Sequence, residues 1–189
     1  MDIKVDVSDV TIKTERLILR PWKKSDLKDF FEYASTPGLG EMAGWPHHQS
    51  METSRRVLQA FVSDKNVFAI VYRRNRKVIG SIGLHVSWAN EDDRFKHLVI
   101  KDIGYALSKN YWGRGLTPEA VSAVIECCFD YFGIDALTCG HFKVNDQSRR
   151  VIEKCGFSFV MESTYFAKQL DMTIPDVKYI LLKDAEGFT

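Results

Sequence analysis

The first regular feature of the chain is alternation in residues 14–22, where Leu17 and Leu19 are set between Arg16, Ile18 and Arg20, predicting a strand that Pro21 and the polar pair Ser25-Asp26 bring to a close. The period then changes. Leu27, Phe30, Phe31 and Ala34 recur at helical spacing up to a Pro37-Gly38 break, and residues 38–48 read as a loop rich in aromatic and imidazole groups. Ser50 caps a second predicted helix whose apolar face carries Val57, Leu58, Phe61 and Val62. Residues 66–72 and 77–86 form two strands around the polar connection Arg73-Arg74-Asn75-Arg76, a basic cluster best read as a solvated turn. Residues 87–96 are a polar loop, and residues 97–107 a further strand. The clearest periodicity follows, a helix from Thr117 with Val121, Val124, Ile125, Cys128, Phe129 and Phe132 on one face, stopped at Gly133. A strand at 136–142, a short helix from about 146 to 155 ended by Gly156, a strand at 157–161 or slightly beyond and a last strand at 177–182 complete the pattern. Hairpins followed by two strand-helix-strand units predict an α/β (α+β) chain: a mixed sheet of about six to seven strands with helices on both faces.

Composition narrows the class. The 189 residues are 45% hydrophobic and 12% aromatic, enough for a substantial core and suited to a single domain over residues 1–189. Basic and acidic residues number 26 and 25, and the halves carry +2 (residues 1–95) and −1, so no basic tail or acidic block announces nucleic acid or a membrane surface as partner. Residues 1–10 lack an apolar h-region, and the apolar stretch 120–132 is interrupted by Glu126 and Asp130. A soluble cytoplasmic protein is expected. Cys127, Cys128, Cys139 and Cys155 lack paired zinc spacing and read as free thiols, and His47, His48, His85, His97 and His141 are adjacent or dispersed, so no metal site is expected.

Chemistry concentrates in the stretch from Tyr105 to Glu119. A strand feeds the loop Trp112-Gly113-Arg114-Gly115-Leu116-Thr117, which opens into a helix; unsatisfied first-turn amides behind two glycines make an anion site. Thr117 is positioned to cap, with Pro118 at the first helical position. A P-loop lacks its Gly-Lys-Ser/Thr here, and a dinucleotide fingerprint lacks its third glycine, where Pro118 stands. Taken alone, these residues also describe an ordinary tight turn.

The loop resembles the acetyl-CoA loop of the GCN5-related N-acetyltransferases (GNAT superfamily), closest to the branch of ribosomal-protein alanine N-acetyltransferases. Residues 14–21, TERLILRP, and residues 145–157, NDQSRRVIEKCGF, match that family's start and end segments in order. The resemblance implies a mixed, mostly antiparallel sheet with a splayed central slot. It implies acetyl-CoA as cosubstrate, with pantetheine pairing near Ala106 and Leu107, pyrophosphate on the amides of Gly113, Arg114, Gly115, Leu116 and Thr117, Trp112 beside them, and Asn145 contacting pantetheine. It further implies acetyl transfer to a primary amine, either a protein N-terminus or a small molecule, without direct nucleic-acid or membrane partners. Monomer and homodimer both stay open. Many relatives carry a tyrosine seven residues after the motif asparagine; here that residue is Ile152, which leaves the acid role open and brings Ser148 forward. Asp102, on a small-residue strand face with Gly104 and Ala106, is a candidate base, and Glu41 a second. Glu41, Trp45 and His48, with His47, are expected at the acceptor pocket, and Arg114, Arg149, Arg150 and Lys154 near the cofactor's phosphates. The missing tyrosine also admits a different reading, a non-catalytic acyl-CoA-binding or regulatory module.

Overall fold

A computed structural model describes residues 1–183. One sheet of eight strands forms its centre, in the order β1-β2-β3-β4-β5-β6-β8-β7. The strands are β1 (Ile12–Lys13), β2 (Leu17–Pro21), β3 (Val67–Tyr72), β4 (Val78–Val86), β5 (Ile100–Leu107), β6 (Ala136–Phe142), β7 (Ser158–Ala167) and β8 (Met172–Leu182). Helices α1 (Leu27–Ala34) and α2 (Met51–Asp64) cover one face, α3 (Leu116–Asp130) and α4 (Asp146–Lys154) the other. Among the described residues no helix is long and apolar enough to cross a membrane.

Strand alternation builds the two cores. In β3, Phe68 and Ile70 join Leu17, Leu19, Ile82 and Leu84 beneath the buried stripe of α3 (Leu116, Ala120, Val121, Val124, Ile125, Cys128). Val67, Ala69 and Val71 point the other way, against Phe30 and Tyr33 of α1 and Leu58 of α2. A strand buried on both faces reads as a continuous apolar run, as Val67–Tyr72 does.

The sheet has one strand more than the sequence pattern predicts, because β1 is only two residues long and its pairing with β2 leaves no period to read. The β7–β8 hairpin also extends further, to Ala167 and back to Met172; β7 is an edge strand with most side chains in solvent, so its outer half carries no apolar alternation. Residues 97–99 precede β5 rather than belonging to it. At α3 the cap is Gly115, with φ +72°; Thr117 is the second helical residue and Pro118 the third, where a missing N–H still costs nothing because first-turn amides lack an intrahelical acceptor.

All pairs are antiparallel except β5–β6, which are parallel and register only at Ile100↔Ala136, Lys101↔Leu137 and Asp102↔Thr138. Beyond Asp102, β5 stays paired with β4 as far as Leu107, while β6 follows β8 along its whole length. The twist between these two paired halves opens a wedge.

A carboxylate ties the far end of the sheet to α3. Glu119 Oε1 accepts from Thr14 Oγ1 (2.5 Å) and Arg16 N–H (2.9 Å), and Oε2 accepts from Arg16 Nε (2.7 Å). Partial burial alone would raise this carboxyl's pKa, but the hydrogen bonds from Thr14 and Arg16 outweigh it and hold the pKa below the ordinary glutamate value. Glu119→Ala is expected to lower unfolding free energy by about 2 kcal/mol at neutral pH. Because the folded-state pKa is depressed, that contribution is present above the ordinary glutamate range and lost as pH falls through the folded value. Urea denaturation of both proteins across this range should show the difference shrinking on acidification.

Candidate active site

Two cavities meet in the wedge. The first, about 480 Å³, runs from Gly104–Leu107 past Trp112, Gly113 and Gly115–Pro118 to Asn145, Ser148 and Arg150 at the start of α4. The second, about 490 Å³, lies toward α1 and α2. Both are bordered by Met42, Ala43, Gly104, Tyr105 and Ala106, so the central stretch of β5 is their common wall.

Backbone polarity follows from the ladder. Ser108 N–H donates to Ile79 O (2.8 Å), and alternation along an antiparallel pair then directs the amide and carbonyl of Ala106 and Gly104 to β4. The groups of Tyr105 and Leu107 face the open side, where β5 has no strand partner past Asp102. The Leu107 carbonyl accepts from Trp112 Nε1 (2.7 Å). An extended ligand in the wedge therefore meets Tyr105 N–H and C=O and Leu107 N–H. Ala106, expected to pair through its backbone, contributes its small side chain instead.

The glycine loop is shaped for an anion. Gly113 and Gly115 both have φ +72°, a region that side chains disfavour, and a Cβ on Gly113 would meet nothing within 4 Å. Among the described residues, the amides of Gly113, Arg114, Gly115, Leu116 and Thr117 have no hydrogen-bond acceptor. Arg16 braces the loop from outside, its Nη1 donating to Arg114 O (2.8 Å), while the Arg114 guanidinium lies over the Tyr111 ring at 5.3 Å. Of the predicted basic set, Arg150 lines the cavity; Arg149 is engaged with Asp146 and Glu153 along α4. An open β5 edge leading to five free amides fits the pantetheine and pyrophosphate of a coenzyme A thioester.

Asn145 caps α4: its Oδ1 accepts from Ser148 N–H (3.1 Å), and its Nδ2 donates to Met42 O (3.3 Å). Ser148 Oγ lies 2.8 Å from the Tyr105 hydroxyl, which also donates to Ser148 O (3.2 Å). Burial, with Cys139 nearby, keeps the Tyr105 phenol well above its ordinary pKa and therefore neutral. The hydroxyl pair bridges β5 and α4 across the first cavity.

Asp102, Gly104 and Ala106 lie on one face of β5, opposite His85, Gly83 and Ser81 of β4, and together these six floor the second cavity. Thr138 Oγ1 donates to Asp102 Oδ1 (2.6 Å) and lies 2.8 Å from Ser87 Oγ. Desolvation dominates at Asp102 and, against the Thr138 hydrogen bond, lifts its carboxyl to about 6. Trp45 and His48 line this cavity; His48 Nδ1 is 2.7 Å from Ser54 Oγ. Glu41 borders neither cavity. It pairs with His47 Nδ1 (2.7 Å), and although burial acts to raise its pKa, hydrogen bonds from His47 hold it below the ordinary value. Among the described residues, no three histidine, cysteine or acidic side chains are grouped to hold a metal ion.

Tyr105, Thr138, His85 and Tyr33 escape sequence reading as site residues. Thr138 and His85 face Asp102 across strand pairs and Tyr105 meets Ser148 where α4 packs on β5, information that register and packing hold and a linear pattern does not. His85 alone had a signal, the alternation Ser81-x-Gly83-x-His85 beside its counterpart in β5.

A wedge between parting parallel strands, a glycine loop entering α3 and two cavities with a common wall make up the candidate site. The acetyltransferase (GNAT) domain family model matches residues 16–158, and the chain belongs to this family of acetyl-CoA-dependent acetyltransferases. It is 26% identical over 151 residues to the uncharacterized N-acetyltransferase YoaA of Bacillus subtilis, covering 77% of this chain and 81% of that protein. A GNAT-family acetyltransferase from Bacillus anthracis shares the fold with a TM-score of 0.80 at 19% identity, covering 93% of this chain and 99% of that one. The ribosomal-protein-S5-alanine acetyltransferase of Vibrio fischeri does so with a TM-score of 0.72 at 19% identity, covering 94% and 98%.

Gly115→Val places a β-branched side chain at φ +72° beside the free amides and should weaken acetyl-CoA binding by at least about tenfold in calorimetry. Asn145→Ala should cost about 1 kcal/mol of stability through its lost cap, with Asn145→Asp retaining most of it in denaturant titration.

Proposed function

We propose that the chain is, over residues 1–189, a single N-acetyltransferase domain that passes the acetyl group of acetyl-CoA directly to a primary amine, a protein N-terminus or a small molecule. The observation that carries this reading is the meeting of two cavities along Gly104, Tyr105 and Ala106: one has the features of an acyl-CoA cleft, the other holds a carboxyl of raised pKa. A solved neighbour, the microcin C7 self-immunity acetyltransferase MccE, is described in complex with acetyl-CoA and AMP; it shares the fold with a TM-score of 0.75 at 16% identity, covering 89% of this chain and 93% of that one.

In this reading the amides from Gly113 to Thr117 hold the pyrophosphate, and Tyr105 and Leu107 hold pantetheine through their backbone groups. Trp112 braces the strand end, and Asn145 presents α4. Acetyl-CoA, when bound, supplies a thioester carbon open to attack. Asp102 takes the proton an attacking ammonium must lose; with a carboxyl near 6 it is ionised at neutral pH and more basic than an ordinary aspartate. An α-amine, with a pKa near 8, gives up that proton about 3 kcal/mol more cheaply than a lysine near 10.4. Ser148 Oγ–H hydrogen-bonds the departing sulfur, held in place by the Tyr105 hydroxyl; the proton the sulfur gains is one the attacking nitrogen sheds as the C–N bond forms and the C–S bond breaks, so Ser148 and Tyr105 both end protonated as they began. Trp45 and His48 border the acceptor; Glu41, tied to His47, shapes the loop that carries them.

Incubation with acetyl-CoA and a panel of amines and N-terminal peptides should release free CoA. Absence of acetyl-CoA binding would overturn the reading, and binding without turnover across the panel would favour a non-catalytic acyl-CoA module. For an accepted amine, kcat/KM should rise as pH passes about 6 and Asp102 ionises, apart from the amine's own titration. Asp102→Asn should remove that inflection and lower kcat about 100-fold.

A further inference from the structure

The second cavity carries information about what it accepts, and the argument rests on the preceding assignment of that cavity to the acceptor. Its floor is small at the centre, with Gly83, Gly104 and Ala106, and titratable at one end, where His85 faces Asp102. Its walls are aromatic: Phe30, Tyr33, Trp45 and Phe61 on one side, Phe142 and Tyr165 on the other.

Charge counting restricts the ligand further. The carboxylates bordering the cavity are Asp102 and Asp176, and Asp176 is paired with Lys178 at 2.5 Å. Desolvation holds the imidazoles of His48 and His85 below their ordinary pKa, neutral at physiological pH. Asp102 is thus the one lining carboxylate without a cation at ion-pair distance among the described residues, which matches one ammonium and not several.

Tyr33 adds a directional requirement. The residue is only 2% exposed and lines the cavity, and its hydroxyl has no partner at ordinary hydrogen-bond geometry; burial outweighs the influence of the Ser81 hydroxyl and keeps the phenol protonated, with a hydrogen to donate. Buried hydroxyls are almost always paired, so a ligand oxygen accepting here would satisfy a donor that the protein leaves free.

We propose that the acceptor is a primary monoamine on an aromatic or similarly apolar body, carrying an oxygen that accepts from the Tyr33 hydroxyl, and that polyamines and other polycations are poor acceptors. Two sources share this chemistry: a free hydroxylated arylalkylamine, and the aromatic N-terminal residue of a peptide through its amide carbonyl.

The test uses the full chain, with calorimetry for acetyl-CoA and CoA release for tyramine, phenethylamine, phenylalanyl-alanine amide and spermidine. Tyramine or the dipeptide should exceed spermidine in kcat/KM by at least about tenfold, the better of the two identifying the source. Tyr33→Phe should raise KM about tenfold for the better oxygen-bearing amine, leave phenethylamine within about twofold, and preserve kcat and Tm. Spermidine turnover equal to or above the aromatic amines would overturn the acceptor class, as would a Tyr33→Phe effect shared equally by both monoamines. Bound acetyl-CoA with no turnover of any of these amines would overturn it too, while turnover confined to spermidine would leave the transferase reading standing. Failure to bind acetyl-CoA would overturn both.

Discussion

The hydrogen bond from Thr138 to Asp102 lies at the point where β5 and β6 part, the last registered pair of their parallel ladder. On one side of it the sheet is continuous; on the other each strand is held only by its outer neighbour, β4 or β8. Both cavities are arranged around this fork. The exposed edge of β5 exists because β6 has turned away, the first cavity because α3 and α4 start beside that edge, and the second because β4 and β5 present glycine and alanine where larger residues would fill the space.

The clasp also sets the chemistry. Asp102 is half-buried and hydrogen-bonded by a hydroxyl, not by a cation, so desolvation governs its proton affinity. The Tyr105–Ser148 pair links β5 to α4 as Asp102–Thr138 links β5 to β6. The same strand thus offers its carboxylate to one cavity, its tyrosine to α4 and its free amide groups to the slot between them, a division made by the alternation of a β-strand.

The strongly periodic elements are legible in the sequence. The apolar stripe of α3, the burial of residues 67–72 and the strand Ala136–Phe142 follow from local pattern, because each buries a face whose spacing its backbone geometry dictates. The outer hairpin was only half legible, since an edge strand in water need not alternate. Site residues divide in the same way. Gly113 and Gly115 are singled out because a loop entering a helix without side chains in the way can approach an anion, and Ser148 because the family resemblance points to it once Ile152 stands where many relatives have tyrosine. Glu41 was plausible by type, but its carboxylate is tied to His47 away from both cavities. Thr117 looked like a cap, yet the left-handed Gly115 starts the helix two residues earlier.

By itself the sequence determined which segments become helix or strand, where a glycine loop enters a helix and which known family the chain resembles, because these depend on residues near one another along the chain. Register, divergence and cavity contents were decided only by tertiary structure. Asp102 meets Thr138 because β5 pairs with β6 across 36 residues of sequence, Tyr105 meets Ser148 across 43 residues because α4 packs on β5, and Tyr33 is buried without a partner because of how α1 packs on the sheet. Such meetings are properties of hydrogen-bond register and packing, for which a linear pattern holds no coordinate.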